Sequence, residues 1–387
     1  MQNEMIIEAP AAPRRTRSQE FWRLLKKNRL ALIGLIIFCL FFLTAVAGRI
    51  LTYGDNPVFD PSLVRLQEKL RPPLARPHFE TLLPDEVPRL GIYLLGTDEL
   101  GRDVFARMWQ GAWVSLTVGF VAVGISVAIG IFLGGIAGYF GQNHVRMHHI
   151  IGILALLLGA GSLALGKILL GLVFLFLAVV YTIFVRRLNR RPGKTGANEY
   201  KGESRGFMFW GAVSIDTIIM RFVDIMLCFP SFFLILTVVA LLPASIYNIM
   251  IVIGLTSWMG TTRFVRAEFL SLREQDFVSA ARALGVSDWR IIFRHMIPNA
   301  IAPVLVSSTI GIASAILTEA GLSFLGFGVP PPDATWGNIL SDGKNFIFDA
   351  PWLTFEPGFA ILVVVLSFNL FGEGLRDILN PKLRERY

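Results

Sequence analysis

DFVSAARALGVSDWRIIFRHMIPN, residues 276–299, is a polar, arginine-bearing stretch set between two hydrophobic runs. Its spacing predicts helix–glycine–helix. Asp276 is a natural N-cap, and Ala280, Ala281 and Leu284 follow on one face at helical spacing. Two adjacent alanines make a flat surface that the groove of another protein can approach closely. Gly285 ends the first helix, because glycine takes the left-handed C-cap conformation without steric cost. Ser287 can cap the second helix, with Asp288 complementing its dipole. Trp289, Ile292, Phe293 and Met296 then form an apolar stripe, Arg290 and Arg294 mark a wet side, and Pro298 begins the next hydrophobic run. An amphipathic loop lying on a membrane surface would share this periodicity. A compact apolar face on so short a segment points instead to docking.

The surrounding composition sets the class. Of 387 residues, 54% are hydrophobic and 17% charged, with a mean hydropathy of +0.59. A soluble globular protein carries about 25% charged residues. Several apolar runs reach the roughly 17–25 residues that cross a bilayer as a helix. The expected fold is an all-α polytopic membrane protein.

The net charge of +8 does not imply nucleic acid. Lys and Arg cluster just outside apolar runs, where they mark cytoplasmic segments, and no continuous basic soluble face is present. Cys39 and Cys228 lie inside apolar runs and read as small buried hydrophobes, not a disulfide or metal pair. The first apolar run exceeds the 7–15 residues of a typical signal-peptide core and is followed by no small-residue cleavage pattern.

Residues 1–29 are basic, with Arg14, Arg15, Arg17, Arg23, Lys26, Lys27 and Arg29 against Glu4, Glu8 and Glu20. They place the N-terminus in the cytoplasm before a first span at 30–48. Residues 49–110 are polar and proline-rich and form an external cap. A second span, 113–139, carries Gly130, Gly134, Gly135 and Gly138, small residues that let helices pack closely in lipid. Two short apolar runs, 150–166 and 168–185, have basic flanks and form a hairpin turning outside near Lys167. His144, His148 and His149 beside it have no acidic or Cys partner nearby and read as interfacial residues, not metal ligands. Gly193-Lys194-Thr195 fails as a phosphate-binding loop, because Leu188 stands where that loop needs glycine.

The remaining spans are 218–242, 246–262, 300–324 and 357–371. The connector 243–245 lacks Lys and Arg, and 326–356 has only Lys344. Residues 263–294 hold Arg263, Arg266, Arg273, Arg282, Arg290 and Arg294, and the tail holds Arg376, Lys382, Arg384 and Arg386. The alternation gives about eight spans, six in a core plus the inserted hairpin, with both termini cytoplasmic.

Four stretches carry a family resemblance. The 276–299 segment resembles the "EAA" loop that permeases of ABC (ATP-binding cassette) importers present to their ATPases. Ala280, Ala281, Gly285 and Pro298 stand at the motif's spacing, and Ser279 stands where the general motif has Glu. It is most similar to the dipeptide/oligopeptide branch. LGTDELGRDVFAR at 95–107 resembles that branch's signature before its second core span, MRFVDIMLCFPSFF at 220–233 the start of its third, and LTEAGLSFLGFG at 317–328 the end of its fifth. Residues 21–48 resemble its leading segment. The chain departs from the six-span pattern by roughly seventy residues inserted between GYFG at 138–141 and IDTIIMR at 215–221.

The resemblance implies a type-I importer transmembrane domain at 113–374, interrupted at about 142–214 and followed by a tail at 375–387. It implies half of a pore in a bacterial inner membrane, completed by a second homologous permease. Two ATPase subunits would dock on the coupling loops formed by Asp276, Ser279, Ala280, Ala281, Leu284, Gly285 and Pro298, and an extracytoplasmic binding protein would deliver a peptide-like solute. No cofactor, metal or catalytic constellation is expected. Relatives that take nickel chelates or sugars are the nearest alternative. An ion-coupled secondary transporter is further off: the ionisable residues Arg221, Asp224 and Glu319 sit near span ends, and no internal repeat is evident.

Overall fold

A computed structural model describes residues 17–54, 57–80, 82–84, 86–141, 144–145 and 213–379. The hairpin expected at 150–185, His148, His149, the 193–195 stretch and the end of the tail lie outside the described residues.

The described chain is helical. An amphipathic α1 (Arg17–Lys27) leads into α2 (Arg29–Thr52), which Asn28 caps by accepting from the Ala31 amide at 3.1 Å. α3 (Val104–Phe140) is capped by Asp103, which accepts from the Phe105 amide at 2.9 Å. After β1 (His144–Val145) and β2 (Val213–Ser214) come α4 (Ile215–Leu227), α5 (Ser231–Leu241) and α6 (Ile246–Arg273). The short α7 (Asp276–Ala283) is followed by a helical turn, Asp288–Arg290, a π-helical turn, Ile291–Met296, and α8 (Ile297–Phe324). α9 (Trp336–Gly343) and α10 (Trp352–Leu379) complete the chain.

Glycine contacts fix the helix directions. An added Cβ on Gly130, Gly134 or Gly138 of α3 would press on Thr261, Thr262 or Phe269 of α6, and one on Gly254 of α6 would press on Ala122 and Ile125 of α3. Positions rise together along both helices, so α3 and α6 run parallel at backbone contact. α2 is antiparallel to α3, with Gly48 against Trp109 and Phe38 near Phe120. α8 is antiparallel to α3, with Gly119 against Ile312 and Ile316 and Gly311 against Val123. α2 is antiparallel to α10, with Gly34 against Leu370 and Gly374 against Ala31. The small-residue positions of α3 therefore serve helix packing.

Four rods are long and apolar enough to cross a membrane: α2, α3, Asp288–Phe324 and α10. The span expected at 218–242 is broken. α4 and α5 meet at 78° across Cys228, Phe229 and Pro230, where proline disfavours helix in the residue before it. α6 has the length for a further crossing but not the apolar composition of the four rods. Its 28 residues span about 42 Å at 1.5 Å per residue. Its hydropathy is diluted by Tyr247, Asn248 and a run of hydroxyl residues.

Two expectations change, and one contact is new. The helix that carries the second span starts at Val104, ahead of 113, and Arg107 and Gln110 on its first turns are buried and bonded inside the bundle. Cys39 and Cys228 are exposed on the periphery, since lipid is as apolar as a bundle interior. Leu24 and Leu25 of α1 pack against Ala31 and Ile378, so part of the basic N-terminal segment is docked helix.

The segment between α2 and α3 forms a cap over one end of the bundle. Its order comes from polar bonding more than from a core. Asp98 accepts from the amides of Leu100 and Arg102, both at 2.9 Å, and pairs with Arg102 at 2.7 Å and Arg107 at 2.5 Å. Arg102 and Arg107 also reach Asp342 of α9 at 3.2 and 2.9 Å. Gly101 makes the knot possible: its φ is +71°, and a side chain there would overlap the Arg65 carbonyl. Burial pushes the Asp103 carboxyl up to about 6, against the Phe105 amide bond that favours its charged form. The 95–107 stretch is thus a staple between cap and bundle.

Candidate functional site

The 276–299 segment lies at the end of the bundle opposite the cap. α6 feeds into it and α8 leaves it. Gln275, not Asp276, is the N-cap of α7, and its carbonyl accepts from the Val278 and Ser279 amides at 3.0 and 3.3 Å. Asp276 occupies the first turn and acts through the helix dipole.

Gly285 closes α7 as expected. Its φ is +73°, its amide donates to Arg282 at 2.9 Å, and the Val286 amide donates to Ala281 at 3.1 Å. This pair of bonds is a Schellman motif, which requires a left-handed residue at that position. Ser287 is the N-cap of the next turn by backbone only; its side chain makes no cap bond, and its carbonyl accepts from the Ile291 amide at 3.0 Å.

The apolar faces fall differently from the helical pattern. Ala281 and Val278 are buried, while Ala280 and Leu284 face outward, Leu284 at 82% exposure. Adjacent helical residues diverge by about 100°, so one alanine turns to the core and the other to the surface. In the following turn Ile291, Ile292 and Met296 are buried, whereas Trp289 and Phe293 are 54% and 58% exposed. The α-period does not hold through Ile291–Met296, because π-helical bonding widens the turn and shifts the faces. The Trp289 and Phe293 rings stack with centroids 5.9 Å apart. Pro298 follows the π-turn in the first turn of α8, where its missing N–H is tolerated, and the Asn299 amide side chain donates to the His295 carbonyl at 2.6 Å.

The buried side of the segment joins a small core with Val265, Phe269 and Leu272 of α6 and Val304 of α8. One residue of α3 ties the two arms together. The Tyr139 hydroxyl donates to Asp288 at 2.6 Å, and the Arg282 guanidinium lies 4.9 Å from the centre of its ring. Tyr139 therefore holds α7 through Arg282 and the second arm through Asp288, across Gly285. Nothing local in the sequence marks this clamp; Tyr139 lies roughly 140–150 positions from both partners.

Two further ion pairs brace the same end, Arg266 with Asp216 and Arg263 with Asp224, joining α6 to α4. Glu319, near the cap end of α8, is fully buried and accepts from Ser323 at 2.7 Å and Ser115 at 3.3 Å. Among the described residues no group of His, Cys, Asp and Glu could hold a metal ion.

The geometry is that of an apolar helical bundle that ends, opposite the cap, in a glycine-capped elbow with exposed apolar side chains. Residues 209–385 match the family profile described as binding-protein-dependent transport system inner membrane component, and residues 16–73 match the N-terminal TM domain of oligopeptide transport permease C. A dipeptide transport system permease protein of Alkalihalophilus pseudofirmus is 35% identical over 366 residues, 95% of this chain and 90% of that protein. The chain belongs to the permeases of binding-protein-dependent ABC transport systems. A dipeptide permease of Haemophilus influenzae is 32% identical across 100% of both chains. An oligopeptide permease of Bacillus subtilis is 30% identical over 93% of this chain and 88% of that protein. This permease is accordingly a multi-pass inner membrane protein with the ABC importer transmembrane fold.

Proposed function

We propose that this permease forms half of a peptide-conducting pore, and that residues 276–299 are its coupling surface for an ATPase subunit. The observation that carries the proposal is the elbow: Leu284, Trp289 and Phe293 stand exposed on a segment whose other face is anchored in the bundle core. A free apolar face on rigid backing suits insertion into a partner's groove. Asp276, Ser279, Ala280, Ala281, Leu284, Gly285 and Pro298 divide the work. Ala280 and Leu284 meet the partner, Ser279 lies beside them, Ala281 anchors α7, and Gly285 sets the angle of the elbow. Asp276 and Pro298 delimit the segment.

The elbow connects α6 to α8 and is clamped to α3 by Tyr139, so displacement of α7 by closing ATPases would act on three spans together. A homologous permease would complete the pore, and an extracytoplasmic binding protein would deliver the peptide over the cap. The basic residues that flank the spans support a cytoplasmic elbow and cytoplasmic termini. Residues 113–374 constitute the importer domain in this reading, and 142–214 an accessory insertion.

The test is assembly and sidedness. Leu284→Asp together with Trp289→Asp should abolish co-purification of the ATPases while leaving the permease pair intact. Cysteines at Ser287 and Ser341 should react from opposite sides of the membrane, Ser287 from the cytoplasm. Retained ATPase binding, or labelling of both positions from one side, would overturn the assignment.

A further inference from the structure

Midway along the bundle, α3, α6 and α8 line a cavity of about 330 Å³ that is open on one side, within the range of small-molecule sites. Among the described residues no ionisable side chain lines it. Its polar groups are hydroxyls, and most of their protons are already committed. Ser257 donates to the Ile253 carbonyl at 2.7 Å, Ser308 to Val304 at 2.8 Å and Thr318 to Ser314 at 2.8 Å, each along its own helix. Ser126 and Thr261 face each other across α3 and α6 with their oxygens 3.4 Å apart. A hydroxyl has one proton and two acceptor sites. With the proton spent on the helix, what remains for the cavity is acceptor oxygen.

We propose that this cavity is a binding station for the solute, and that it recognises N–H donors: the backbone amides and α-ammonium group of a peptide. The inference rests on the peptide reading above and names the residues that would meet the peptide. Acceptors without fixed charge suit a solute whose side chains vary and whose shared groups are N–H donors. A carboxylate lining would select cationic side chains, and an arginine lining acidic ones. The walls also have the right mechanical connections. α6 and α8 are the helices joined by the elbow, and α3 is the helix clamped to it through Tyr139. Ser257, Gly260 and Ser314 are exposed in the single chain, so the cavity has an open side that the second permease would close.

The test uses the complete transporter in proteoliposomes, with Cys39→Ala and Cys228→Ala as background. Gly260→Leu adds bulk at a lining position where the first added carbon meets no atom within 4 Å. Peptide uptake should fall at least tenfold while binding-protein-stimulated ATPase activity stays within about twofold. Thr261→Val with Ser308→Ala removes acceptors at nearly constant volume. Wild type should prefer a dipeptide over its N-methylated amide analogue, and the double variant should shrink that ratio severalfold; taking the ratio between permeases cancels selection by the binding protein. Ser367→Ala, a hydroxyl removed elsewhere, should leave it unchanged. As a readout independent of transport, Ser308→Cys should react with a small thiol reagent, and transported peptide should slow the reaction.

Normal uptake by Gly260→Leu, or an unchanged preference ratio in the double variant, in a complex whose wild type imports peptides would overturn the cavity assignment and leave the peptide reading standing. So would Ser308→Cys labelling that peptide does not slow. A wild-type complex that hydrolyses ATP but imports no peptide would overturn both.

Discussion

Gly285→Val tests the elbow most sharply, because its effect has to be conformational. No atom lies within 4 Å of the added Cβ, so the side chain meets no clash. It does meet the backbone, at φ +73°. A left-handed conformation costs a non-glycine residue roughly 1–2 kcal/mol, and a β-branched residue belongs at the upper end. The alternative is to open the turn and lose the Gly285–Arg282 and Val286–Ala281 bonds, each contributing about 0.5–1.5 kcal/mol. Either route disfavours the native elbow by about 2 kcal/mol, near thirtyfold in population at 1.36 kcal/mol per decade. α7 is poorly placed to resist, since Val278 and Ala281 are its only buried residues and Arg282 meets the Tyr139 ring as its one described clamp. Uptake and stimulated ATPase activity should therefore fall at least tenfold, with expression and permease pairing intact because the position is exposed. Gly285→Asn should retain more activity, since asparagine tolerates the left-handed region, and Gly285→Ala should lie between Asn and Val. A valine variant that transports normally would refute the reasoning. Equal inactivation by Asn and Val would show that bulk at the interface matters, not backbone conformation.

Tyr139→Phe keeps the ring beside Arg282 and removes only the bond to Asp288. Peptide imported per ATP hydrolysed should drop severalfold, consistent with about 1–1.5 kcal/mol for a hydrogen bond to a partly solvated carboxylate; Asp288→Asn, which keeps an acceptor, should lose less. Gly134→Val should prevent stable assembly, because its Cβ would sit 2.6 Å from the Thr262 carbonyl, whereas Gly135→Ala faces only the Phe269 ring at 3.3 Å and should assemble. Detergent-extracted yield and thermal stability check both. Replacing residues 146–212 with Asn-Gly should preserve assembly and substantial uptake, because Val145 already pairs with Val213 in an antiparallel ladder that a two-residue turn can close. Loss of transport in an assembled shortened complex would make the insertion part of the mechanism.

What could be read from the sequence was what depends on near neighbours. Gly285 as a left-handed cap, Pro298 in the first turn of α8 and the packing glycines of α3 each obey a local rule, and each stands where that rule puts it. Errors arose where one period was extended through a change of helix type: the π-turn at 291–296 moves Trp289 and Phe293 away from Ile292 and Met296. Ala280 and Ala281 failed for a related reason, since adjacency in sequence is divergence on a helix. Apolar context also misplaced Cys39 and Cys228, because hydropathy cannot distinguish lipid from core. The clamp of Tyr139 on Asp288 and the pairing of Arg107 with Asp342 were illegible, because their partners lie 149 and 235 positions apart and meet only in the folded bundle. The hydroxyls that lower the hydropathy of α6 are in part those that line the cavity.

The most direct measurement is accumulation of a labelled dipeptide by proteoliposomes that contain this permease, its partner permease and two ATPases. The expected result is uptake that needs ATP on the elbow side and the binding protein on the cap side, and that is indifferent to an imposed proton or sodium gradient. Uptake driven by an ion gradient without ATP would contradict it.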